Sequence, residues 1–504
     1  MRSIFKATAM LSGSSVLSIF LGMGSAKVLA VVLQPAGYGY YGLLQSFVGL
    51  TTLFAGLGMA TGLVRLGAGA ATRNDEVALA SLRRGAGLLF GGLGSLALVL
   101  LFFFRMALSR WALGSPDHGK TILLLGIALL FTVAGNIQIG TLNAYHRVGA
   151  LAKYGVVNTL VGALITMGAI VIWRTQGIVP AVIGGAVATW GVSRYFLQRE
   201  VGPVRVRPSP SDTLDAAWSL LRFGGPYTAS MLVGTGVQLA LPIVILHLLS
   251  TDSVGYYRAA VGISVGYLGF LITAMGQDYY PRLSAVADQP SALIKLINEQ
   301  HRLVMILAVP MILGTLAVVP FLVPLVYSLK FGPTVEILEW QMIGDLFKFS
   351  SWTMSYAILA RCGSTVYFLS ELSGGVFHLL ATWLCVRWFG LPGLGIGFLV
   401  AYIMYYLVVW AFIRREIPLI WTASNKKMIL AATAAALIVR ILPSTRFANF
   451  RTPVGLALAL IAAIPSLFLI SREFLIPKEM ETGIRPTDLT NQPVVTSEGP
   501  TSSN

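Results

Sequence analysis

The sequence predicts an all-α polytopic membrane protein, and two observations lead to that prediction: its composition and the length of its apolar runs. Of 504 residues, 56% are hydrophobic and only 11% are charged, which would leave a water-soluble fold with too much exposed apolar surface. Apolar runs of roughly 17 to 25 residues recur along almost the whole chain, and a helix of that length crosses a bilayer. The alternating pattern of barrel strands does not occur, so the spans are predicted to be helices.

We predict about fourteen transmembrane helices, each long enough to cross the hydrocarbon core. They lie near residues 8–33, 41–64, 84–104, 121–143, 154–173, 178–197, 217–249, 254–277, 302–328, 336–360, 365–389, 392–413, 427–443 and 453–471. The first run is too long for a secretory signal and is followed at once by another span, so we expect it to be retained. The two cysteines, Cys362 and Cys385, lie in or near spans and indicate neither a disulfide framework nor a metal site. We expect no cofactor.

The positive charges indicate how the chain sits in the membrane. The net charge is +16, and most of the 36 Lys and Arg residues fall in the loops on one side of the predicted spans. Because cytoplasmic loops are enriched in these residues, both termini are predicted to be cytoplasmic. No soluble segment interleaves basic and aromatic residues, which excludes a nucleic-acid-binding function.

The longest hydrophilic break within the membrane region divides the chain into two halves. This segment, QREVGPVRVRPSPSDTLDA (198–216), contains Pro and Arg residues that argue against a continuous helix. We predict an N-terminal six-helix bundle (1–197), a cytoplasmic linker (198–216), a C-terminal six-helix bundle (217–415), two additional transmembrane helices (416–476) and a disordered cytoplasmic tail (477–504). Halves with an even number of spans share one orientation, as in transporters built from parallel repeats.

A short motif occurs once in each half and supports this division. QPAGYGYYGLLQS (34–46) and STDSVGYYRAAVG (250–262) both contain Gly-Tyr-Tyr and both follow the first span of their half. Gly and Tyr are common at membrane interfaces, so a chance match is the alternative. The matching position of the two motifs in the loop order favours duplication. The second motif continues with Arg258 where the first has Gly42.

Four charged residues lie within predicted spans, where an unpaired charge costs on the order of 3 kcal/mol. They are Lys27, Asp345, Lys348 and Glu371. The tenth span has a polar face formed by Gln341, Asp345, Lys348 and Trp352, and the eleventh has a similar stripe of Tyr367, Glu371, His378 and Thr382. One interpretation is a structural ion pair of Lys348 with Asp345 or Glu371. The other is direct participation of these charges in transport.

Lys27 is the charge whose surroundings most favour a binding role. No acidic residue lies in spans one to six, so its buried ammonium needs water or an anion. Arg258 and Arg65 could add positive charge to the cleft between the halves. Snorkelling to the interface is the alternative for each, and for Arg65 it is the favoured one. We therefore predict Lys27, Arg258 and Arg65 as candidate substrate-binding residues.

Several stretches resemble a known family of transporters. KVLAVVLQPAGYGYYGLLQS, VGYYRAAVGIS with QDYYPRLSAV, and LEWQMIGDLFKFSSWTMSYAILA are similar to segments of bacterial O-antigen and related lipid-linked oligosaccharide flippases (Wzx-like). These belong to the polysaccharide-transporter branch of the MOP exporter superfamily. The resemblance covers roughly residues 1–415 and leaves the last two spans without a counterpart.

The resemblance implies a fold, a substrate and a location. It implies two six-helix bundles in a MOP-type arrangement around a cationic cavity that opens alternately to each side of the inner membrane. The substrate would be an undecaprenyl-diphosphate-linked oligosaccharide, and a polysaccharide polymerase and a chain-length regulator would be partners. By position, Lys27 would be a cavity cation, whereas Asp345, Lys348 and Glu371 would be charged residues of the second bundle.

Two other functions compete with the flippase interpretation. A multidrug or cation exporter of the same superfamily would be expected to line its cavity with acidic groups, whereas the first half offers Lys27 and no intramembrane acid. A membrane enzyme of envelope polysaccharide assembly would need convergent carboxylate or His residues near a large outer loop, and the predicted outer loops are short. The sequence therefore favours a transporter without catalytic residues.

Overall fold

The computed structural model of the chain is almost entirely helical and describes residues 2–73, 75–202, 206–274, 279–442 and 450–475. The predicted tail at 477–504 and part of the predicted linker lie outside these ranges. The helices are α1 (Arg2–Gly56), α2 (Met59–Thr72), α3 (Glu76–Leu113), α4 (Gly119–Ala144), α5 (Val148–Trp173), α6 (Ile178–Glu200), α7 (Pro210–Leu248), α8 (Thr251–Ala274), α9 (Tyr280–Ala285), α10 (Pro290–Val326), α11 (Thr334–Arg361), α12 (Ser364–Phe389), α13 (Gly393–Glu416), α14 (Ala423–Ile441) and α15 (Arg451–Leu475).

Two backbone breaks divide the first helices. Gln34, at φ 60° and ψ 176°, interrupts α1 immediately before Pro35, which lacks an N–H and disfavours helical geometry at the preceding residue. Leu57 and Gly58 both have positive φ and separate α1 from α2. The first break coincides with the predicted turn at the end of span one. The second divides the predicted span 41–64, because Gly58 adopts a left-handed conformation.

Much of the helical surface is apolar enough to contact lipid. Within the described ranges, nine helical stretches are long and apolar enough to cross a membrane. One of them, Gly149–Glu200, contains both α5 and α6. The prediction of an all-helical multi-pass membrane protein is therefore confirmed. The number of about fourteen spans and the arrangement as six, six and two helices remain predictions.

The helices pack mainly within two groups that meet along a seam. In the first group α4 packs against α2 and α6, and α5 packs against α1 and α6. In the second, α13 packs against α11 and α12, and α7 packs against α12. Contacts of α1 with α8 and of α3 with α7 join the groups. We refer to α1–α6 as the N-terminal bundle and to α7–α13 as the C-terminal bundle.

The last two helices are attached to the C-terminal bundle by a buried ion-pair cluster. α14 and α15 pack against α10, and Glu339 of α11 pairs with both of them. Its Oε2 lies 2.7 Å from Arg440 Nε, and its Oε1 lies 2.5 Å from Arg451 Nη2. Arg451 also donates a 2.9 Å hydrogen bond to the Leu316 carbonyl of α10. Arg440 also pairs with Glu336 at 3.3 Å. Loss of the nearly fully buried Glu339 carboxylate would therefore leave Arg451 without its counter-charge inside the protein.

Candidate functional site

The two Gly-Tyr-Tyr motifs lie where the bundles meet most closely. A Cβ added at Gly39 would overlap the Thr251 carbonyl oxygen, and one added at Gly255 would overlap the Pro35 carbonyl oxygen. Only Gly permits backbones to approach this closely. The segments 35–42 and 251–258 thus form one crossing of α1 and α8. We call this end of the molecule the outer end, because it carries the loops predicted to face the periplasm.

Aromatic side chains fill the seam beside this crossing. Tyr38 of α1 packs edge-on against Tyr327 and Phe331, with ring centroids 5.7 Å apart in both pairs. Tyr256 of the second motif contacts the same Phe331 ring at 6.1 Å. Tyrosines of both motifs therefore meet in one cluster that closes the seam at the outer end.

Lys27 takes part in the same interbundle seam. Its Nζ donates a 2.9 Å hydrogen bond to the carbonyl oxygen of Pro324 in α10. That carbonyl belongs to the last turn of α10, where backbone oxygens have no helical partner and attract cations. Lys27 lies outside the set of residues that line the central cavity. Its predicted contact with an anion is not tested by this arrangement and remains a prediction.

A large cavity lies between the bundles beneath the outer end. Its volume is about 1130 Å³, compared with roughly 300–1,000 Å³ for pockets that hold drug-sized ligands. Helices α1, α7, α8, α10, α11, α12 and α13 all contribute to its walls. Of the candidate site residues predicted from the sequence, Arg258, Lys348 and Glu371 line it, together with Trp352 and His378 of the two polar stripes. Its size would admit a ligand larger than a drug-sized molecule.

Arg258 connects the two bundles within this cavity. Its Nη1 donates a 2.9 Å hydrogen bond to Ser46 Oγ on α1. Its aliphatic stem lies directly against Gly42, where an added Cβ would overlap the Arg258 Cδ atom. The two residues that distinguish the repeated motifs are therefore complementary, because the missing side chain of one makes room for the other. Arg258 retains further N–H donors beyond the one that Ser46 uses.

Asp345 and Lys348 form one of the two ion pairs that the sequence left open, at a distance of 3.8 Å between Asp345 Oδ1 and Lys348 Nζ. Asp345 is fully buried, and its Oδ2 accepts a 2.9 Å hydrogen bond from Ser264 of α8. The Lys348 ammonium also lies over three aromatic rings, those of Trp352, Phe398 and Tyr402, at 5.2, 5.7 and 5.6 Å. The structural and the transport interpretations of this pair both remain open.

Glu371 is held by hydroxyl groups. Tyr405 and Ser355 both donate hydrogen bonds to Glu371 Oε1, the second at 2.9 Å. Glu371 forms no ion pair with any described side chain, so Lys348 and Glu371 are not paired in this conformation. Glu371 lines both the central cavity and a small side pocket of about 120 Å³. Among the described side chains, no group of three His, Cys, Asp or Glu residues is placed to hold a metal ion.

Arg65 lies apart from the cavity. Its guanidinium packs over the Phe223 ring of α7 at 4.7 Å, so it contacts the C-terminal bundle at the other end of the seam. The cavity also contains residues that the sequence did not single out, chiefly Ser46, Tyr402 and Tyr405. Trp352 did stand out, as part of the polar face of its helix. Tyr402 and Tyr405 carried no signal, because tyrosine is common in membrane helices.

Comparison with known proteins gives the family of the chain. A family model described as polysaccharide biosynthesis protein matches residues 28–336, more than half of the chain. The lipid III flippase of Escherichia coli (strain K12) is 24% identical over 425 residues, and so is the lipid III flippase of Shigella flexneri. Each of these matches covers 80% of this chain and 96% of the relative.

Solved structures share the fold at low sequence identity. The lipid II flippase MurJ in an inward closed conformation has a TM-score of 0.69 and 14% identity, covering 94% of this chain and all of that chain. An inward-facing MATE multidrug resistance transporter of the MOP superfamily has a TM-score of 0.65 and 16% identity, covering 81% of this chain and 96% of that chain. These findings confirm the resemblance noted from the sequence. The chain belongs to the family of polysaccharide biosynthesis proteins and has the fold shared by MurJ and MATE transporters.

Proposed function

We propose that this chain is a flippase for undecaprenyl-diphosphate-linked oligosaccharide. It would move the lipid-linked sugar from the cytoplasmic to the periplasmic leaflet of the inner membrane, for assembly of O-antigen or a related surface polysaccharide. Family membership and the lipid III flippase relatives support a lipid-linked precursor as substrate. The observation that carries the proposal is the cavity between the bundles with Arg258 in its wall.

The charge distribution of the cavity fits a diphosphate. A buried anion needs a cation or several hydrogen-bond donors, and an Arg side chain offers five donors in a planar fork. Arg258 uses one of them on Ser46 and leaves others for a ligand. Among the described lining residues α1 contributes no acidic side chain, so the wall beside the Arg258–Ser46 hydrogen bond carries no carboxylate. Arg258 is therefore the proposed principal diphosphate contact.

The seam supports alternating access as the mechanism. Four contacts close the outer end: the Gly39–Gly255 crossing, the Tyr38 cluster, the Lys27–Pro324 hydrogen bond and the Arg258–Ser46 hydrogen bond. None of them is covalent, and each joins one bundle to the other. Rocking of the bundles about the cavity would break these contacts and expose the bound head group at the outer side.

A cation exporter is the competing function, because Glu371 places an acidic group on the cavity wall. Two features weigh against it. The Glu371 carboxylate is already engaged by Tyr405 and Ser355, and the Lys348 ammonium lies in the same wall. A cationic drug would therefore meet a positive charge in the cavity, whereas a diphosphate would be attracted to it.

The experiment is a complementation test in source cells from which the gene has been deleted. We expect deletion to abolish the surface polysaccharide and to trap lipid-linked oligosaccharide where a membrane-impermeant oxidant cannot reach it in spheroplasts. Wild-type protein should restore both the surface polysaccharide and the accessibility of the lipid-linked oligosaccharide, and Arg258→Lys should restore part of each. Loss of a charged hydrogen bond costs about 1.5–3 kcal/mol, so Arg258→Ala should lower the flipping rate by roughly 10- to 100-fold.

The control variant is Arg199→Ala, which removes an exposed Arg outside the cavity wall and should retain wild-type activity. Protein levels of all variants are compared by immunoblot. Wild-type flipping by Arg258→Ala at normal protein level would contradict the assigned role of Arg258. If deletion leaves lipid-linked oligosaccharide fully accessible but raises sensitivity to cationic drugs, the exporter function is the correct one.

A further inference from the structure

The central cavity has two chemically different walls. The wall contributed by α1 consists mainly of small and polar residues, with one aromatic ring at its outer end; they are Gly22, Met23, Ala26, Tyr38, Gln45, Ser46 and Gly49. The opposite wall, contributed by α11 and α13, presents the rings of Trp352, Phe398 and Tyr402. We call these three rings the aromatic face. This difference indicates that a ligand with two chemically different parts has a preferred orientation.

The aromatic face is held in a fixed arrangement. Phe398 and Tyr402 lie one turn apart on α13, with ring centroids 4.6 Å apart, and Trp352 approaches from α11. The Lys348 ammonium lies 5.2–5.7 Å from all three rings and is tied to the buried Asp345. These contacts fix the rings before any ligand arrives, which lowers the entropic cost of binding.

Hydrogen-bonding groups lie beside the aromatic face. Glu371 lines the cavity together with Trp352, and the same two residues form the boundary of the small side pocket with Ser355, Tyr356 and Tyr367. An ionised carboxylate offers about four acceptor positions, of which Tyr405 and Ser355 use two. Glu371 can therefore accept hydrogen bonds from further hydroxyl groups.

We infer that the aromatic face and Glu371 form a sugar-binding subsite, an inference that rests on the proposed flippase function. The flat, weakly polar faces of pyranose rings would stack on Trp352 and Tyr402, while sugar hydroxyls donate to Glu371. Aromatic rings beside a carboxylate also suit an organic cation. The Lys348 ammonium already lies over these rings and would repel a second cation, so a neutral, hydroxyl-rich ligand fits better.

The subsite predicts an orientation of the whole head group. The diphosphate would lie at Arg258, and the first sugars would extend towards α11 and α13. Both parts fit only if the cavity accommodates more than one sugar-sized unit, which its volume of about 1130 Å³ allows. The diphosphate and the sugar are then recognised by different helices of the C-terminal bundle, α8 for the diphosphate and α11 with α13 for the sugar.

The test compares lipids that differ only in the sugar. Purified full-length protein in nanodiscs is titrated with polyprenyl diphosphate and with the same lipid carrying glucose, galactose or N-acetylglucosamine, and affinity is measured from the bound fraction by native mass spectrometry. We expect at least one sugar-bearing lipid to bind the wild-type protein roughly tenfold more tightly than the bare diphosphate, the effect of one buried aromatic anchor.

Substitutions then locate the source of that preference. Trp352→Leu and Tyr402→Leu should remove the preference and leave affinity for the bare diphosphate within about twofold, whereas Tyr402→Phe should retain it. Trp388→Leu is the matched control, since Trp388 is 76% exposed and lies outside the cavity wall. Arg258→Ala should weaken the binding of all four lipids equally, which distinguishes the contact with the diphosphate from the contact with the sugar.

Three distinguishable results would overturn either the sugar-binding subsite alone or the subsite together with the proposed function. If the wild-type protein binds no diphosphate lipid, the proposed function fails, and the subsite fails with it. If it binds the bare diphosphate but prefers none of the sugars, the flippase proposal survives and the subsite is wrong. If Trp352→Leu weakens bare and sugar-bearing lipids alike, the aromatic face supports the cavity as a whole and does not recognise sugar.

Discussion

The close crossing of α1 and α8 predicts that the single substitution Gly255→Ala strongly favours opening of the outer end. The added Cβ would overlap the Pro35 carbonyl oxygen and lie 2.9 and 3.2 Å from its carbonyl carbon and Cα. All three are backbone atoms, so no side-chain rotation relieves the overlap and α1 must move away from α8. Overpacking of this kind costs about 1–3 kcal/mol. Only the closed conformation carries this cost. The equilibrium between the closed and the open conformation of the outer end should therefore shift towards the open one by roughly 5- to 150-fold.

The assay is cysteine labelling within the cavity. The two native cysteines, Cys362 and Cys385, are replaced by Ala, and Val261→Cys then places one thiol on the cavity wall. A membrane-impermeant maleimide is added to spheroplasts, and the labelling rate is followed with time. Gly255→Ala should raise that rate by at least about fivefold over the Val261→Cys parent.

The control is Gly24→Ala on α1, where an added Cβ has no neighbour within 4 Å. It should label at the parent rate. Gly39→Ala, which meets the backbone of α8 from the other side of the crossing, should reproduce the effect of Gly255→Ala. Labelling of both crossing variants at the rate of the Gly24→Ala control would refute the claim that the paired motifs hold the outer end closed.

Four further predictions concern charges that are buried or partly buried. Lys27→Ala should raise labelling of the cavity cysteine about tenfold, because it removes a charged hydrogen bond across the seam; lost transport with unchanged labelling would instead favour an anion-binding role. Asp345→Asn should lower the thermal stability of the detergent-purified protein, since it removes the counter-charge of Lys348, at a cost of up to about 3–5 kcal/mol. The double variant Asp345→Lys with Lys348→Asp should not recover that stability, because the carboxylate introduced at position 348 would face three aromatic rings. Recovery of half of the lost stability would contradict this prediction. Glu339→Gln should destabilise the protein by up to a similar amount, because Arg451 loses its counter-charge and Arg440 keeps only Glu336. Limited proteolysis should then release α14 and α15; an unchanged melting temperature and cleavage pattern would disprove the anchoring role of Glu339.

The helical architecture was predictable because a bilayer restricts the backbone so strongly. Each segment must satisfy its own hydrogen bonds, so long apolar runs predict helices, and the break before Pro35 follows from proline chemistry. The repeated Gly-Tyr-Tyr motif also indicated two related halves. Its role at the seam was not predictable, because the sequence does not show that Gly39 and Gly255 face each other.

The site was predictable only in part, and the missing part depends on packing between distant segments. Spacing along one helix placed Asp345 and Lys348 on the same face and left Asp345 and Glu371 as alternative partners of Lys348. It did not predict the two rings from α13 beside the Lys348 ammonium. The fit of Arg258 against Gly42 requires two bundles to be docked. Glu339 was overlooked because it lies near the start of a predicted span, where a charge suggests only an interface.

The most direct test of the flippase proposal is transbilayer movement in a defined system. Purified protein is reconstituted into liposomes that contain a polyprenyl diphosphate carrying a sugar, and the rate at which inner-leaflet lipid becomes accessible to an external oxidant is measured. We predict that wild-type protein accelerates this movement at least about tenfold over protein-free vesicles, and that Arg258→Ala reduces it nearly to their rate. Wild-type vesicles that behave like protein-free vesicles, or an Arg258→Ala variant that flips the lipid at the wild-type rate, would contradict the account.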